Sequence, residues 1–221
     1  MSSAAIFRDR SEAGRLLASK LGEYAHRDDV VVLALPRGGV PVGYEIATAL
    51  DVPLDLFVVR KIGLPGHEEL AIGAIASGGA RMLDHDMIDA YQVDPRDLDD
   101  VLRRELAELE RRERHYRGDR PFPDVREKTV ILVDDGLATG SSMYVAVEAL
   151  RDKGAKRIVV AVPVAPADTC EAFRRVADDI ICTVTPEPFY AVGLWYADFS
   201  QTTDEEVHEL LEAGRMHAPV R

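Results

Sequence analysis

The feature that most constrains the fold is a series of short apolar runs separated by helical patterns. The runs are continuous, and Gly, Pro or Asp bounds them, which is typical of strands buried on both faces of a sheet. They occupy residues 30–35, 54–59, 129–133, 157–162 and 179–184, with helical patterns at 40–50, 142–153 and 166–176. Because strands alternate with helices, the sequence predicts an α/β fold whose parallel sheet is covered by helices.

Composition and charge exclude several classes of protein. The 221 residues are 47% hydrophobic and 30% charged, which is ordinary for a globular chain. The formal net charge of −12 argues against a dedicated nucleic-acid binder, because neutralising phosphates requires a basic face. The start lacks the apolar region of a signal peptide, and every apolar run is far shorter than the ~20 residues of a membrane span. We therefore expect a cytoplasmic protein without nucleic-acid or membrane partners.

The sequence shows no pattern of a protein-held metal. The six histidines lack metal-ligand spacing, so the sequence predicts no metal ligands. Cys170 and Cys182 are too few for a disulfide framework, and we expect both to be small core residues.

Residues 84–120 interrupt the alternation of strands and helices. Seven aspartates lie between residues 84 and 100, and residues 101–117 form a charged helical pattern with a narrow leucine stripe. Its Glu–Arg pairs at i,i+4 spacing favour a helix. We predict a helical insert that is solvated and docks by one stripe; the alternative is a role as a lid or a dimer contact.

The strongest functional signal follows the third apolar run. Asp134 and Asp135 come directly after the predicted strand, and a loop of small residues then leads into a helix. Backbone N–H groups at a helix N-terminus bind anions, so we expect this loop to hold a phosphate. The two carboxylates repel phosphate and are better placed to accept hydrogen bonds from sugar hydroxyls. The pattern therefore indicates a ribose 5-phosphate, held by Gly136, Leu137, Ala138, Thr139, Gly140, Ser141 and Ser142.

This segment resembles the phosphoribosyl-diphosphate-binding motif of the type I phosphoribosyltransferases, in which two acids precede three residues and Thr-Gly. Haloacid-dehalogenase-like phosphatases need an Asp-x-Asp spacing and a Walker A loop needs a lysine, and both are absent here. The resemblance implies a Rossmann-like parallel twisted sheet in a single domain over residues 1–221, with a C-terminal hood at residues 185–221.

The resemblance also implies an activity. Members transfer ribose 5-phosphate from phosphoribosyl diphosphate to a nitrogenous base, purine or pyrimidine, and release pyrophosphate, with Mg²⁺ held mainly by the substrate. The chain is most similar to stand-alone members whose acceptor is not established. Ala138 stands where hypoxanthine-guanine members carry an acid, as in adenine-type members.

A second loop joins a strand to a helix at Pro36, Arg37, Gly38 and Gly39. In the resembled family the corresponding loop binds pyrophosphate, often through an unusual peptide geometry, and we expect that role here. A glycine turn that merely caps a helix is the alternative.

A third segment carries candidate catalytic residues. Arg60 and Lys61 end a predicted strand, and Glu69 follows a stretch rich in Gly and Pro that we expect to be mobile. Adenine phosphoribosyltransferases have a similar segment, which differs in spacing by one residue. We expect Arg60 and Lys61 to neutralise the departing pyrophosphate, and Glu69 is a candidate acid or base. Solvated surface charges are the alternative.

Aromatic residues cluster near the carboxyl end, where five lie within residues 189–199. In the resembled family a hood beside the sheet binds the base, and we expect Phe189, Tyr190 and Trp195 to contact it. A small second core is the alternative.

Other functions stay open at this level. The chain could bind phosphoribosyl diphosphate or a nucleotide as a regulator with little turnover, or it could hydrolyse a sugar phosphate. Homodimers are common in the resembled family, and the insert offers one face for such a contact.

Overall fold

The computed structural model describes residues 6–215. In chain order its helices and strands are α1 (Arg10–Ala18), β1 (Val30–Ala34), α2 (Gly39–Leu50), β2 (Leu54–Leu56), β3 (Val59–Leu64), β4 (His67–Ala76), β5 (Ala80–Leu83), α3 (His85–Ala90), α4 (Pro95–Arg117), β6 (Thr129–Val133), α5 (Ser141–Asp152), β7 (Arg157–Val164), α6 (Ala167–Phe173), β8 (Asp179–Val184) and α7 (Asp204–Arg215).

A five-stranded parallel sheet with the order β2-β1-β6-β7-β8 forms the centre of the molecule. Every residue of β1 and β6 is buried. Helices α1, α2 and α7 pack on one face of the sheet, and α5 and α6 pack on the other. Two covered faces explain why the strands are continuous apolar runs. The predicted α/β fold with a parallel twisted sheet is confirmed.

The strand order places two loops side by side. β1 pairs with β6 in parallel, and Ala34 lies opposite Val133 at the carboxyl ends of the two strands. From β1 the sheet continues to β2 on one side, and from β6 it continues to β7 on the other. The crevice between β1 and β6 is thus a topological switch point, where open α/β sheets bind ligands.

A second, antiparallel sheet with the order β3-β4-β5 was missed by the sequence analysis. The prediction of one strand over residues 54–59 was wrong, because β2 ends at Leu56 and β3 begins at Val59. The stretch expected to be mobile forms the β3–β4 hairpin, with Gly66 at φ +80° in its turn. Gly and Pro here mark a hairpin turn rather than a loop.

The insert holds α3 and the 23-residue α4, between β5 and β6. Val101, Leu109 and Tyr116 of α4 are buried in the same cluster as residues of β3 and β4. At its end, the nearly fully buried Arg117 donates to Asp55 at 2.9 Å and to the carbonyl oxygen of Leu56 at 2.9 Å. The insert is therefore anchored to the central sheet by a buried guanidinium as well as by an apolar stripe.

Cys170 and Cys182 are joined in a disulfide between α6 and β8, with their Cα atoms 7.3 Å apart. Both were expected to be small core residues; Cys170 is buried and Cys182 packs against the same apolar cluster, but their pairing was not predicted. The helix-to-strand return that brings them together is a tertiary feature, and a count of two cysteines does not contain it.

Two further points concern the chain as a whole. Within residues 6–215, none of the helices combines the length and apolar character required to cross a membrane. Of the hood expected at residues 185–221, the last six residues lie outside the described residues.

Candidate active site

The candidate site lies where β1 and β6 end. The backbone N–H of Leu35 donates to the carbonyl oxygen of Val133 at 2.8 Å, which fixes the two strand ends against each other. A Cβ added to Gly38 would lie 2.0 Å from Oδ2 of Asp135. Only glycine allows this approach. The two loops singled out from the sequence therefore meet directly.

The loop Pro36–Gly39, called the pyrophosphate loop below, leads into α2. The peptide bond between Pro36 and Arg37 is cis. The N–H groups of Gly39 and Val40 already donate to the carbonyl oxygens of Leu35 and Arg37, at 3.0 and 3.1 Å. The first turn of α2 is thus largely satisfied by its own loop.

The loop of residues 136–142, called the phosphate loop below, ends differently. Gly140 is the N-cap of α5 with φ +70°, and no side chain among residues 6–215 caps this helix. The first N–H groups of a helix have no partner within it, so those of Ser141, Ser142 and Met143, which have no acceptor in the described part of the chain, are open for an anion. Thr139, Ser141 and Ser142 are exposed and add hydroxyl donors.

The carboxylates of Asp134 and Asp135, called the acid pair below, stand beside these N–H groups. Asp134 accepts a hydrogen bond from the backbone N–H of Asp135 at 2.8 Å. Burial and the neighbouring Asp135 charge raise the pKa of Asp134 well above its ordinary value. Burial also raises the pKa of Asp135, and its hydrogen bond from Arg10 opposes that rise.

Arg10 of α1 was missed by the sequence analysis. Its Nε donates to Oδ2 of Asp135 at 2.8 Å, and the two side chains are only 12% and 15% exposed. Its Nη1 donates to the carbonyl oxygen of Ser200 at 2.7 Å, and its guanidinium lies 4.0 Å from the ring centroid of Phe199. Since 125 residues separate Arg10 from Asp135, no local pattern could have found this pair.

The aromatic segment divides between two environments. Phe189 lines a cavity of about 710 Å³ together with Ala138, Thr139 and residues 166–169 and 186–188. Trp195 is 7% exposed and belongs to a small core with Phe7 and Tyr196, whereas Tyr190 is 77% exposed. The cavity adjoins the phosphate loop, and of the three predicted aromatic contacts only Phe189 lines it.

The three candidate catalytic residues lie on the antiparallel sheet. Arg60 donates to Glu105 of α4 through Nε at 2.8 Å and Nη2 at 2.5 Å. Lys61 and Glu69 are exposed. Within residues 6–215, none of the three forms a hydrogen bond or ion pair with the pyrophosphate loop or the phosphate loop. In the described part of the chain, no hydrogen bond or ion pair therefore links these three residues to the acid pair.

Comparison with known proteins identifies the family. The model of the phosphoribosyl transferase domain matches residues 5–190. The chain belongs to this family. The resemblance inferred from the acid pair and the phosphate loop is thereby confirmed, as a type I phosphoribosyltransferase.

Two relatives of the family cover nearly the whole chain. A Mycobacterium tuberculosis protein described as a "Putative phosphoribosyl transferase" is 43% identical over 207 residues, 94% of this chain and 46% of that protein. The chain therefore spans about half the length of that relative. The protein TT1426 from Thermus thermophilus is 40% identical in sequence to this chain. Its crystal structure matches this one with a TM-score of 0.79, over 93% of this chain and 97% of TT1426.

A more local similarity concerns a named enzyme of the family. The uracil phosphoribosyltransferase of Lactobacillus gasseri is 41% identical over 58 residues, 26% of this chain and 28% of that protein. A match of this length supports the family and no particular acceptor.

Proposed function

We propose that this chain transfers ribose 5-phosphate from phosphoribosyl diphosphate to a nitrogenous base and releases pyrophosphate. One observation carries the proposal: an uncapped helix N-terminus, a half-buried acid pair and the pyrophosphate loop meet at the β1–β6 switch point. Open N–H donors suit a phosphate, and adjacent carboxylates suit a diol. A sugar phosphate presents both groups.

The reaction develops positive charge at the anomeric carbon and negative charge on the leaving group. The protein's task is therefore to position the sugar and to stabilise charge. Thr139, Ser141 and Ser142 hold the 5-phosphate, and the acid pair accepts hydrogen bonds from the 2- and 3-hydroxyls. The acid pair also places negative charge beside the cationic sugar, which lowers the barrier.

The leaving group departs toward the pyrophosphate loop, whose Arg37 supplies a cation. Lys61 is exposed on the β3–β4 hairpin and would need that hairpin to move before it reached the leaving group. Arg60 would first have to leave Glu105. We assign the neutralisation of pyrophosphate to Arg37, with Lys61 as the residue that arrives on closure.

The residues present suit Mg²⁺ held mainly by the substrate. The acid pair provides hard carboxylate oxygens, which Mg²⁺ prefers. Among residues 6–215, no group of three or more His, Cys, Asp or Glu side chains is arranged to hold a metal ion. A bound Mg²⁺ would neutralise charge on the pyrophosphate.

The acceptor belongs in the cavity of about 710 Å³ beside Ala138 and Thr139. Phe189 supplies a ring on which a flat heterocycle stacks. Asp168 and Glu187 also line this cavity, so it offers acceptors to the N–H groups of a base. Ala138 in the place of an acid favours a 6-aminopurine over a 6-oxopurine as that base.

The test is pyrophosphate release from phosphoribosyl diphosphate with Mg²⁺, measured against a panel of purine and pyrimidine bases and a control without base. We expect release that depends on one base. Binding without release would support a regulatory protein instead, and release without any base would support a hydrolase.

A binding experiment tests the site itself. In the double variant Asp134→Asn/Asp135→Asn we expect the affinity for phosphoribosyl diphosphate to fall about 100-fold, since charge-assisted hydrogen bonds to both hydroxyls are lost. Asp99→Asn/Asp100→Asn is the matched control, because it removes an adjacent but exposed acid pair. Equal affinity of the two double variants would overturn the assignment of the acid pair.

A further inference from the structure

A second polar pocket, which shares no lining residue with the acceptor cavity, adjoins the pyrophosphate loop. It lies between this loop, the last turns of α4 and the first residue of α7. Its volume of about 280 Å³ is close to the lower limit of the roughly 300–1,000 Å³ of ligand pockets, so it has room for a phosphate group. This guanidinium pocket, as we call it below, is lined by Arg37, Arg111, Arg112, His115, Tyr116 and Asp204.

The guanidinium pocket is rich in positive charge, whereas the net charge of the chain is negative. Three guanidinium groups face one carboxylate there, whereas the chain carries a net charge of −12. Glu108, outside the pocket, accepts hydrogen bonds from Arg111 at 2.6 and 3.0 Å and from Nε of Arg112 at 2.9 Å. In the part of the chain that the structure describes, the η nitrogens of Arg112 have no hydrogen-bond acceptor. Donors of a planar, fixed cation thus remain open in the pocket.

Asp204 organises the pocket rather than cancelling its charge. It accepts a hydrogen bond from the hydroxyl of Tyr116 at 2.6 Å, and it lies 3.5 Å from Nη1 of Arg37 and 3.5 Å from Nε2 of His115. One carboxylate therefore touches a residue of the pyrophosphate loop and two residues of the insert. It holds Arg37 toward α4, so that guanidinium groups from two distant segments face the same space.

We propose that the guanidinium pocket binds a phosphate group, and that the insert thereby forms part of the ligand site. Guanidinium groups pair with phosphate oxygens through parallel N–H donors, which a carboxylate-poor pocket of this size favours. The occupant is either the outer phosphate of the diphosphate carried by the substrate or a phosphate of a separate small molecule. Only the choice between these sources rests on the proposed function.

The experiment measures equilibrium binding of inorganic pyrophosphate, inorganic phosphate, ribose 5-phosphate and phosphoribosyl diphosphate by calorimetry. The test variant is Arg111→Gln/Arg112→Gln, whose side chains are 65% and 47% exposed, so the fold should persist. Arg103→Gln/Arg104→Gln is the matched control, because it removes an equal charge from the same helix at side chains 75% and 57% exposed. Thermal melting of all three proteins checks the fold.

We expect the test variant to bind pyrophosphate at least about tenfold more weakly than the wild type does. The affinity of the control should stay within about twofold of the wild-type value. A parallel loss for phosphoribosyl diphosphate assigns the pocket to the substrate. Unchanged affinity for phosphoribosyl diphosphate, with weaker binding of the inorganic anions, assigns it to a separate phosphate compound.

Equal affinities of the wild type and both variants for every anion would overturn the proposal. Ribose 5-phosphate separates this failure from failure of the proposed function, because it carries no diphosphate. If the acid-pair variant Asp134→Asn/Asp135→Asn still binds it normally, the proposed function fails whatever happens at the guanidinium pocket.

Discussion

The two sides of the candidate site are built in different ways. On the side of the phosphate loop, the donors are backbone N–H groups and hydroxyls from one continuous segment, with no cationic side chain in residues 136–142. On the side of the insert, the donors are guanidinium groups. Asp204 of α7 holds that of the pyrophosphate loop, and Glu108 holds those of α4. One side is local in sequence, and the other is assembled from three separate segments.

The difference shows which parts of a sequence are needed to build each kind of anion site. A helix N-terminus binds phosphate through geometry that a short segment imposes on itself, and it needs only small residues and glycine. A pocket of side chains needs each cation to be brought in and held against its neighbours, which costs like-charge repulsion. Carboxylates such as Glu108 and Asp204 offset that repulsion here.

The largest effect is expected where the two sides meet. Gly38→Ala would place a Cβ 2.0 Å from Oδ2 of Asp135 and so displace the acid pair. We expect the affinity for phosphoribosyl diphosphate to fall about 100-fold, because a displaced acid pair loses its charge-assisted hydrogen bonds to both sugar hydroxyls. Gly22→Ala is the control, since nothing lies within 4 Å of its added Cβ. Normal binding by Gly38→Ala would show that Asp135 can move without loss.

The next effect distinguishes neighbouring cations on the insert side. Arg60→Gln leaves the carboxylate of Glu105, 11% exposed, without its main partner, so we expect a loss of about 2 kcal/mol in the free energy of unfolding. Lys61 is exposed, so Lys61→Gln should change the free energy of unfolding by less than about 0.5 kcal/mol while lowering kcat. Urea unfolding and steady-state kinetics measure both. Equal stabilities would mean that the Arg60–Glu105 pair does not anchor β3.

A smaller effect is expected at Arg10, which links α1 to the acid pair. Arg10 opposes the rise in the pKa of Asp135, so Arg10→Gln raises that pKa further. Because ribose hydroxyls need the ionised carboxylate, we expect about tenfold weaker binding near neutral pH, given the size of a charge-assisted hydrogen bond. The fall in affinity that occurs as the pH is lowered should also begin at a higher pH than in the wild type. Arg15→Gln on the same helix, paired with Glu45 at the surface, is the control.

The smallest effect concerns stability. The pKa of Asp134 is raised in the folded protein, so this carboxyl favours the fold at low pH and loses that contribution as pH rises through the folded pKa. Near neutral pH we therefore expect Asp134→Asn to melt about 2–4 °C higher than the wild type, which corresponds to ~1 kcal/mol in the free energy of unfolding. At pH 4 we expect the two proteins to melt at the same temperature. The exposed Asp99→Asn should show no such pH-dependent difference. A lower melting temperature at neutral pH would contradict the burial argument.

Much of the central sheet could be predicted because its signals are local. The runs at 30–35 and 129–133 became β1 and β6, and the acid pair, the phosphate loop and the pyrophosphate loop follow those strands directly. The antiparallel sheet was missed because β4 begins with three exposed residues and its apolar part, residues 70–76, is interrupted by Gly73. The roles predicted for Arg60, Lys61 and Glu69 stay predictions, since their segment lies on that sheet.

The sequence by itself determined the parallel sheet, the family and the two loops at the strand ends, because each rests on residues adjacent in the chain. Only the tertiary structure decided that Arg10 holds Asp135, that Arg60 is bound to Glu105, and that arginines of the insert face Arg37. The physical reason is how far apart the interacting residues lie along the chain. Backbone geometry follows from neighbouring residues, whereas an ion pair between segments separated by 45 to 125 residues exists only once the core has packed.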